Sequence, residues 1–415
     1  MISRQQAIEL DESDALADFR DRFVITDPDL IYLDGNSLGR LPKATVDRVR
    51  ATMAEEWGDG LVRSWRSGWM AEPGSVGARL APLIGADPDE VLLTDQTSLN
   101  LYKLASAALA HQAPRSTVLT DSGNFPSDIY VLSGVAGAAG GSVRMVGADP
   151  VAPSTSAIEA ALDDQVGLVS LSHVNFKSGA LLDMSSITTA AHEAGAMVLW
   201  DLSHSVGAVP IDLRGSGVDL AVGCTYKYLN GGPGSPAFLY VARHLQDTLI
   251  QPIHGWWGQE DMFGFGLKYQ PAPGMDRFAT GTMPILSLAG AGVGIDLTAE
   301  AGIDRIRSKS VALTSLIVDL FDELPAGYGF SLGSPRDDGV RGSHVSLRHP
   351  DGYRITQALI ERNVIPDFRA PDVVRLGAAA LYTRFVDVWD AFERLREIME
   401  SGAHEEFTDE RSGVT

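Results

Sequence analysis

The sequence predicts an α/β protein, with a large domain built on a mostly parallel seven-stranded sheet flanked by helices and a small C-terminal α/β domain. Two observations carry this. Short apolar runs recur between residues 91 and 241, most of them followed by a polar residue or glycine and then by helical periodicity, which is the rhythm of βαβ units. Two long helical patterns, 284–301 and 303–324, then lead into a second, shorter set of strands and helices. The 415 residues leave room for such a pair of domains, and 45% hydrophobic residues with 43 glycines fit a globular chain rich in tight turns.

In chain order, residues 11–22 have a helical period, and the apolar run 30–33 is closed by the turn signal Asp34-Gly35-Asn36. A helix over 42–57 is broken by the glycine-rich stretch 58–68, beside Trp57, Trp65 and Trp69. Strands of the large sheet fall at 91–93, 117–119, 142–146, 167–171, 197–200, 220–222 and 238–241. Beyond Pro325, strands are expected at 330–332, 343–347 and 373–376, and helices at 352–362 and 386–399. The expected division is an N-terminal arm with helices (1–60), a large domain (61–300), a small domain (301–402) and a frayed polar tail (403–415).

Lys and Arg number 33 against 54 Asp and Glu, a net charge of −21 that repels phosphate backbones and anionic lipid, so neither nucleic acid nor membrane is expected as a partner. A single cysteine excludes an internal disulfide framework and a Cys-based zinc cluster, and fits a reducing, cytoplasmic setting. The first residues carry interspersed acids and no apolar export segment, and no apolar run reaches membrane length.

Two residues suggest the chemistry. Asp201 ends the apolar run 197–200, where open α/β sheets bind ligands, and its carboxylate can hold a cationic ring nitrogen. Lys227 follows the next apolar run and precedes Gly231-Gly232-Pro233-Gly234, where a lysine can form a Schiff base. Pyridoxal phosphate needs that combination: a carboxylate keeps its ring an electron sink, and a lysine anchors its aldehyde. Gln96-Thr97-Ser98-Leu99-Asn100 opens a helix after 91–93 and can cradle a phosphate, while Phe125 in Asn124-Phe125-Pro126-Ser127-Asp128 can stack on the ring. Singly, Asp201 or Thr97 reads as a helix cap, His204 and Phe125 as core, and Lys227 as a solvated charge. Their joint order along one sheet is what points to a cofactor site.

The chain resembles the kynureninase family of fold-type I pyridoxal phosphate enzymes, bacterial type. The resemblance rests on Leu33-Asp34-Gly35-Asn36-Ser37-Leu38-Gly39, Asn124-Phe125-Pro126-Ser127-Asp128, Trp200-Asp201-Leu202-Ser203-His204-Ser205, Cys224-Thr225-Tyr226-Lys227-Tyr228-Leu229-Asn230, Gly255-Trp256-Trp257-Gly258 and Met283-Pro284-Ile285-Leu286. It implies hydrolysis of L-kynurenine to anthranilate and L-alanine in tryptophan catabolism, with 3-hydroxykynurenine a poorer substrate and pyridoxal 5'-phosphate as cofactor. It implies Lys227 as the covalent anchor, Asp201 on the ring nitrogen and Phe125 on the ring face. Thr97, Ser98, Tyr226, Trp256 and Thr282 would hold the phosphate, the last two from the second subunit of a homodimer. Asp128, Ser172 and His204 would complete the cofactor shell, and Lys227 and Tyr226 would be catalytic. Ser37, Trp65 and Arg375 would bind substrate, Arg375 through the α-carboxylate. The chain departs from the family pattern at Gly377-Ala378-Ala379-Ala380 and at Lys177-Ser178-Gly179.

Other readings share most of these residues. A fold-type I aminotransferase needs only this cofactor shell and a carboxylate clamp, a cysteine desulfurase needs a mobile nucleophilic cysteine, and a scaffold with no activity needs neither Lys227 nor Asp201. Cys224, three residues before Lys227 on an apolar strand, reads as a structural thiol.

Overall fold

A computed structural model describes residues 2–147 and 151–410. The strands are β1 (Ile31–Tyr32), β2 (Val91–Leu93), β3 (Thr117–Asp121), β4 (Val143–Val146), β5 (Val166–Ser172), β6 (Met197–Asp201), β7 (Leu220–Gly223) and β8 (Phe238–Val241), then β9 (Ser331–Leu332), β10 (Val345–Arg348), β11 (Val364–Ile365), β12 (Asp367–Arg369) and β13 (Val373–Leu376). The seven expected runs form one sheet in the order β2-β8-β7-β6-β5-β3-β4. Pairing is parallel from β4 through β7, and β8 runs antiparallel to both β7 and β2. Every residue of β5, β6 and β7 is buried, as strands covered on both faces by helices must be. The main apolar core surrounds this sheet, from Val76 to Ile295.

The tryptophan region differs from the expected break. The helix Lys43–Ala51 runs on into wide, π-type turns at Thr52–Gly60, and a second wide turn spans Trp65–Trp69. Glu56 organises the stretch: it accepts from Trp69 Nε1 at 2.6 Å and pairs with Arg48. Polar anchoring thus compensates for the poor helix propensity of the glycines.

A second apolar core lies under the C-terminal helices Ile303–Asp322, Gly352–Glu361 and Phe385–Ser401. Its antiparallel sheet has the order β12-β13-β10-β9, while β1 of the arm pairs in parallel with β11. Strands β11 and β12 were not expected, because each is only two or three residues long and Pro366 separates them. Within the C-terminal tail, Ala403–Glu406 forms a 3-10 turn with His404 buried, and residues 411–415 lie outside the described residues.

The helix Ile285–Ala301 positions the lysine turn by close approach. A Cβ on Gly294 would lie 1.9 Å from the Leu229 carbonyl oxygen, which is backbone and cannot swing away. Gly294→Ala is therefore expected to destabilise the protein by about 1–3 kcal/mol through overpacking. Urea unfolding should show a lower midpoint with an unchanged slope, and an unchanged midpoint would mean that the turn yields freely.

Candidate active site

The carboxyl ends of the parallel strands bring together the acids read from the sequence. Register places Ser172, the last residue of β5, beside Asp201, the last of β6. Ser172 Oγ donates to Asn124 Oδ1 at 2.7 Å, fixing the loop that enters the helix Pro126–Ala138. Asp201 is buried and accepts from Ser203 N at 2.7 Å. Asp128, on the first turn of that helix, is also buried and bonded to Asp201. Burial first, and then the Asp201 charge, push the Asp128 carboxyl well above its ordinary value, so Asp128 keeps its proton and its O–H donates a hydrogen bond to Asp201. One net negative charge remains at the end of β6.

Lys227 lies in a tight turn after β7. Gly231 N donates to Thr225 O, Asn230 N donates to Lys227 O, and Asn230 adopts φ 54°. The arm closes the turn from outside: Gly39 N donates to Tyr226 O at 2.8 Å, and a Cβ on Gly39 would meet Lys227 O at 2.3 Å. That close approach gives a physical reason for glycine in the Asn36-Ser37-Leu38-Gly39 segment. Lys227 Nζ donates to His204 Nε2 at 2.9 Å. Burial, aided by Lys227, holds the His204 imidazole well below its ordinary value, so it accepts as a neutral ring. Tyr226 has Lys227 Nζ 5.8 Å from its ring centroid, and the Cys224 sulfur and then burial raise its phenol, which stays protonated. Cys224 itself is buried, with its thiol raised mainly by burial.

Thr97 and Ser98 occupy the first turn of the helix Thr97–His111, whose N-cap residue Gln96 makes no side-chain cap. Ser98 Oγ lies 2.8 Å from Ser127 Oγ, which brings two helix N-termini together. Phe125 is exposed over 41% of its surface, with one edge against Phe176 at 5.1 Å between centroids. A half-exposed phenyl ring, a buried carboxylate of net charge −1, a lysine and a pair of helix N-termini fit pyridoxal phosphate. The partnerless buried Nδ1 of His204 is a further polar group such a cofactor could satisfy.

Arg375 and Ser37 meet on one face of the small sheet. Asp367 and Arg375 are directly opposed across β12 and β13, and Arg369, two residues on from Asp367, shares that face. Arg375 Nε donates to Asp367 Oδ1 at 2.9 Å, and its Nη2 donates both to Asp367 Oδ2 and to Ser37 Oγ. Ser37 Oγ in turn donates to Asp367 Oδ2 at 2.8 Å. Asp34 touches the same carboxylate; burial first, and then Asp367, raise its carboxyl to about 7. Burial opposes ionisation of Asp367 too, yet Arg375, with help from Arg369 and Ser37, holds it below its ordinary value. Sequence reading missed Asp367, Arg369 and the buried His344, whose ring lies 5.6 Å from His204. The available signal was the alternation Asp367-Phe368-Arg369 shortly before the run 373–376.

Trp65, Trp256 and Thr282 come together elsewhere, around a cavity of about 690 Å³ whose other walls include Trp257, Met262 and Phe263. Neither Lys227 nor Asp201 lines it, so within one chain these three residues are apart from the lysine turn. Trp65 packs edge-on against Trp69 and Trp257. Trp256 Nε1 donates to Met262 O at 2.7 Å.

The proton held by Asp34 makes stability depend on pH with a definite sign. Below about pH 4, folded and unfolded chains both hold it; between there and about 7 only the folded chain does, so stability falls as pH rises. Above about pH 7 the cost is constant. Asp34→Asn should flatten this slope, so its gain over wild type in urea midpoint should be larger at about pH 8 than at about pH 5. A pH-independent difference would show that Asp34 is ionised throughout.

The family model described as the kynureninase C-terminal domain matches residues 306–395. The chain is 46% identical over 407 residues to the kynureninase of Pseudomonas fluorescens, covering 96% of each chain, and 46% identical over 408 residues to that of Burkholderia mallei (strain SAVP1), covering 97% of each. Among solved structures, the apo cysteine desulfurase of Thermococcus onnurineus NA1 superposes with a TM-score of 0.81 at 20% identity, over 92% of this chain and 98% of that one. A C-DES variant with glycine covalently linked to its PLP cofactor gives 0.77 at 19% identity, over 96% and 100%. The desulfurase likeness shows the shared fold, and 46% identity over nearly the full length to enzymes of one name assigns the chain within it: it belongs to the kynureninase family, pyridoxal 5'-phosphate-dependent hydrolases of carbon-carbon bonds.

Proposed function

We propose that this enzyme hydrolyses L-kynurenine to anthranilate and L-alanine, on a pyridoxal 5'-phosphate held by Thr97, Ser98, Phe125, Asp128, Ser172, Asp201, His204, Tyr226 and Lys227. The observation that carries the reading is Lys227 Nζ held 2.9 Å from a neutral His204, in the field of the buried Asp128–Asp201 pair. When bound, the cofactor supplies an electron sink for the bonds around an amino acid's α-carbon. Asp201, backed by the proton on Asp128, supplies the negative charge that favours a protonated ring nitrogen. Lys227 anchors the cofactor's aldehyde at rest and, once released, takes the proton from the substrate α-carbon, with His204 orienting its amine. Tyr226 keeps its phenolic proton, with Lys227 Nζ 5.8 Å from its ring centroid, and would deliver that proton to the departing β-carbon. Ser37 and Arg375 bind at the α-carboxylate side.

The separate cavity supports a homodimer in which Trp256 and Thr282 complete the partner's phosphate site. Phe263, Phe265 and Leu267, in the loop that carries Trp256, are strongly exposed, as are Leu61 and Val62 beside Trp65. So much apolar surface in neighbouring segments fits a subunit contact better than solvent. A cytoplasmic location fits the acidic composition and the single thiol, which is buried. The buried, raised Cys224 also disfavours the desulfurase reading, which needs a mobile thiolate.

Incubation of the holoenzyme with L-kynurenine should release fluorescent anthranilate, and Lys227→Ala should release none; transamination without anthranilate would favour the aminotransferase reading. Subunit exchange between Lys227→Ala and Trp256→Ala, both of low activity alone, should restore up to roughly a quarter of wild-type activity if sites are shared. Verified exchange without recovery would mean self-contained sites.

In the shared-site dimer the cavity lined by Trp65 and Thr282 would receive the substrate's aryl ring, and the Trp65 indole would give it a broad apolar wall with one N–H donor, so kcat/KM should be higher for L-kynurenine than for 3-hydroxykynurenine. Trp65→His, alone and with Thr282→Asn, should shift that ratio toward the hydroxylated substrate by about tenfold or more. An unmoved ratio would remove these residues from the pocket.

A further inference from the structure

We propose that Arg369 receives the α-carboxylate of the amino acid substrate together with Arg375, and that Asp367 is the fixed internal counter-ion aligning both guanidinium groups for it. The inference deepens the proposed function and relies on it only in taking an α-amino acid as the ligand.

Arg375 alone is a poor acceptor for an incoming carboxylate. It is 1% exposed, and its fork is already closed on Asp367, itself 1% exposed, in the bidentate geometry a substrate carboxylate would adopt. Its second Nη2 hydrogen goes to Ser37 Oγ, and one Nη1 hydrogen to the Phe176 carbonyl. A single Nη1 hydrogen remains of its five donors. Displacing Asp367 would strand a buried carboxylate, a cost that ordinary binding energy recovers poorly.

Arg369 has the complementary properties. Register puts it on the same face of the small sheet, and its Nη2 lies 2.7 Å from Asp367 Oδ2 and 3.2 Å from the Ser37 Oγ that Arg375 also contacts. Its side chain keeps 35% of its surface exposed, so the cluster is approachable from its side. Charge counting agrees. Below about pH 7, where Asp34 holds its proton, two arginines face one ionised aspartate, which leaves one positive charge for one carboxylate. The neighbouring cations are committed elsewhere: Lys177 Nζ donates to Ala370 O at 2.9 Å, and Arg348 is paired with Asp372 at 2.9 Å. Arg369 also adds to the positive field at His204 and His344.

The test is equilibrium titration of the holoenzyme with L-alanine and with L-alaninamide, followed by the absorbance of the bound cofactor. Wild type should prefer the acid by about tenfold or more, and Arg369→Gln should lose most of that preference while binding the amide as before. With L-kynurenine the same variant should show a raised KM and a nearly unchanged kcat. A purely structural role would weaken acid and amide alike, and a wild-type acid-to-amide ratio in Arg369→Gln would overturn the proposal. Should that variant not fold, Arg369→Lys carries the test: it keeps the charge but not the fork, so the ratio should fall severalfold, and an unchanged ratio overturns the proposal equally. Because the titration needs no turnover, an enzyme that ignores L-kynurenine but discriminates acid from amide through Arg369 would refute the function and keep this inference.

Discussion

A carboxylate buried at the end of a strand is the constraint around which the site is built. Asp201 sits at the carboxyl end of β6 between two equally buried strands, where an isolated ionised acid would cost several kcal/mol. The fold resolves part of that cost locally. Asp128, delivered by the neighbouring helix, stays protonated and donates, and Ser203 N adds a second bond. The remaining charge calls for a cationic partner, a role that the ring nitrogen of the cofactor would fill in the proposed site. The same burial keeps His204 neutral, so it can accept from Lys227 without competing as a cation.

The geometry of Lys227 depends on backbone contact from two remote parts of the chain. Gly294 lies beneath the turn and Gly39 lies across it, each with its Cα against a carbonyl oxygen. Through the second contact the arm is held between two sites: β1 joins the small lobe through β11, Ser37 joins Arg375 and Asp367, and Gly39 N bonds the carbonyl preceding Lys227. The Arg375–Asp367 cluster and the lysine turn are thus linked through three consecutive residues, 37–39. Disturbance of the arm should be felt at both.

The large sheet was legible because its central strands β5, β6 and β7, buried on both faces, read as near-continuous apolar runs, and the other four, among them the partly exposed edge strand β4, also appear where the expected runs fall. The polar residues ending those runs were legible for the same reason: a polar residue after an apolar run marks the strand's exit from the core. What was not legible depended on register or on polar anchoring. Pairing of Asp367 with Arg375 follows from the antiparallel register of two strands, one of which has three residues and follows a proline. The turns around Trp57 and Trp65 looked like a break because glycine lowers helix propensity, and the bonds that Glu56 gathers across the stretch are tertiary. Trp65, Trp256 and Thr282 were grouped with the cofactor or substrate shell, yet one chain holds them in a cavity of their own, which sequence order could not reveal.

The comparison with cysteine desulfurases shows how much of the chemistry lies outside the frame. A TM-score of 0.81 at 20% identity means that the strands, and the positions at their carboxyl ends, are shared. What differs is which side chains reach those positions. A desulfurase reaction needs a mobile thiolate; here the one thiol lies buried directly after β7, with its sulfur 3.8 Å from the Ser203 carbonyl and its ionisation suppressed by burial. In its place the chain holds a phenol that keeps its proton next to the lysine. A protonated phenol can donate to carbon as a new carbanionic centre forms, whereas a buried thiol can do nothing to a sulfur it cannot reach. In the proposed reaction it is therefore Tyr226, not Cys224, that would face the reacting atoms, and the two residues, two apart on the same exit from β7, differ in the way each reading requires.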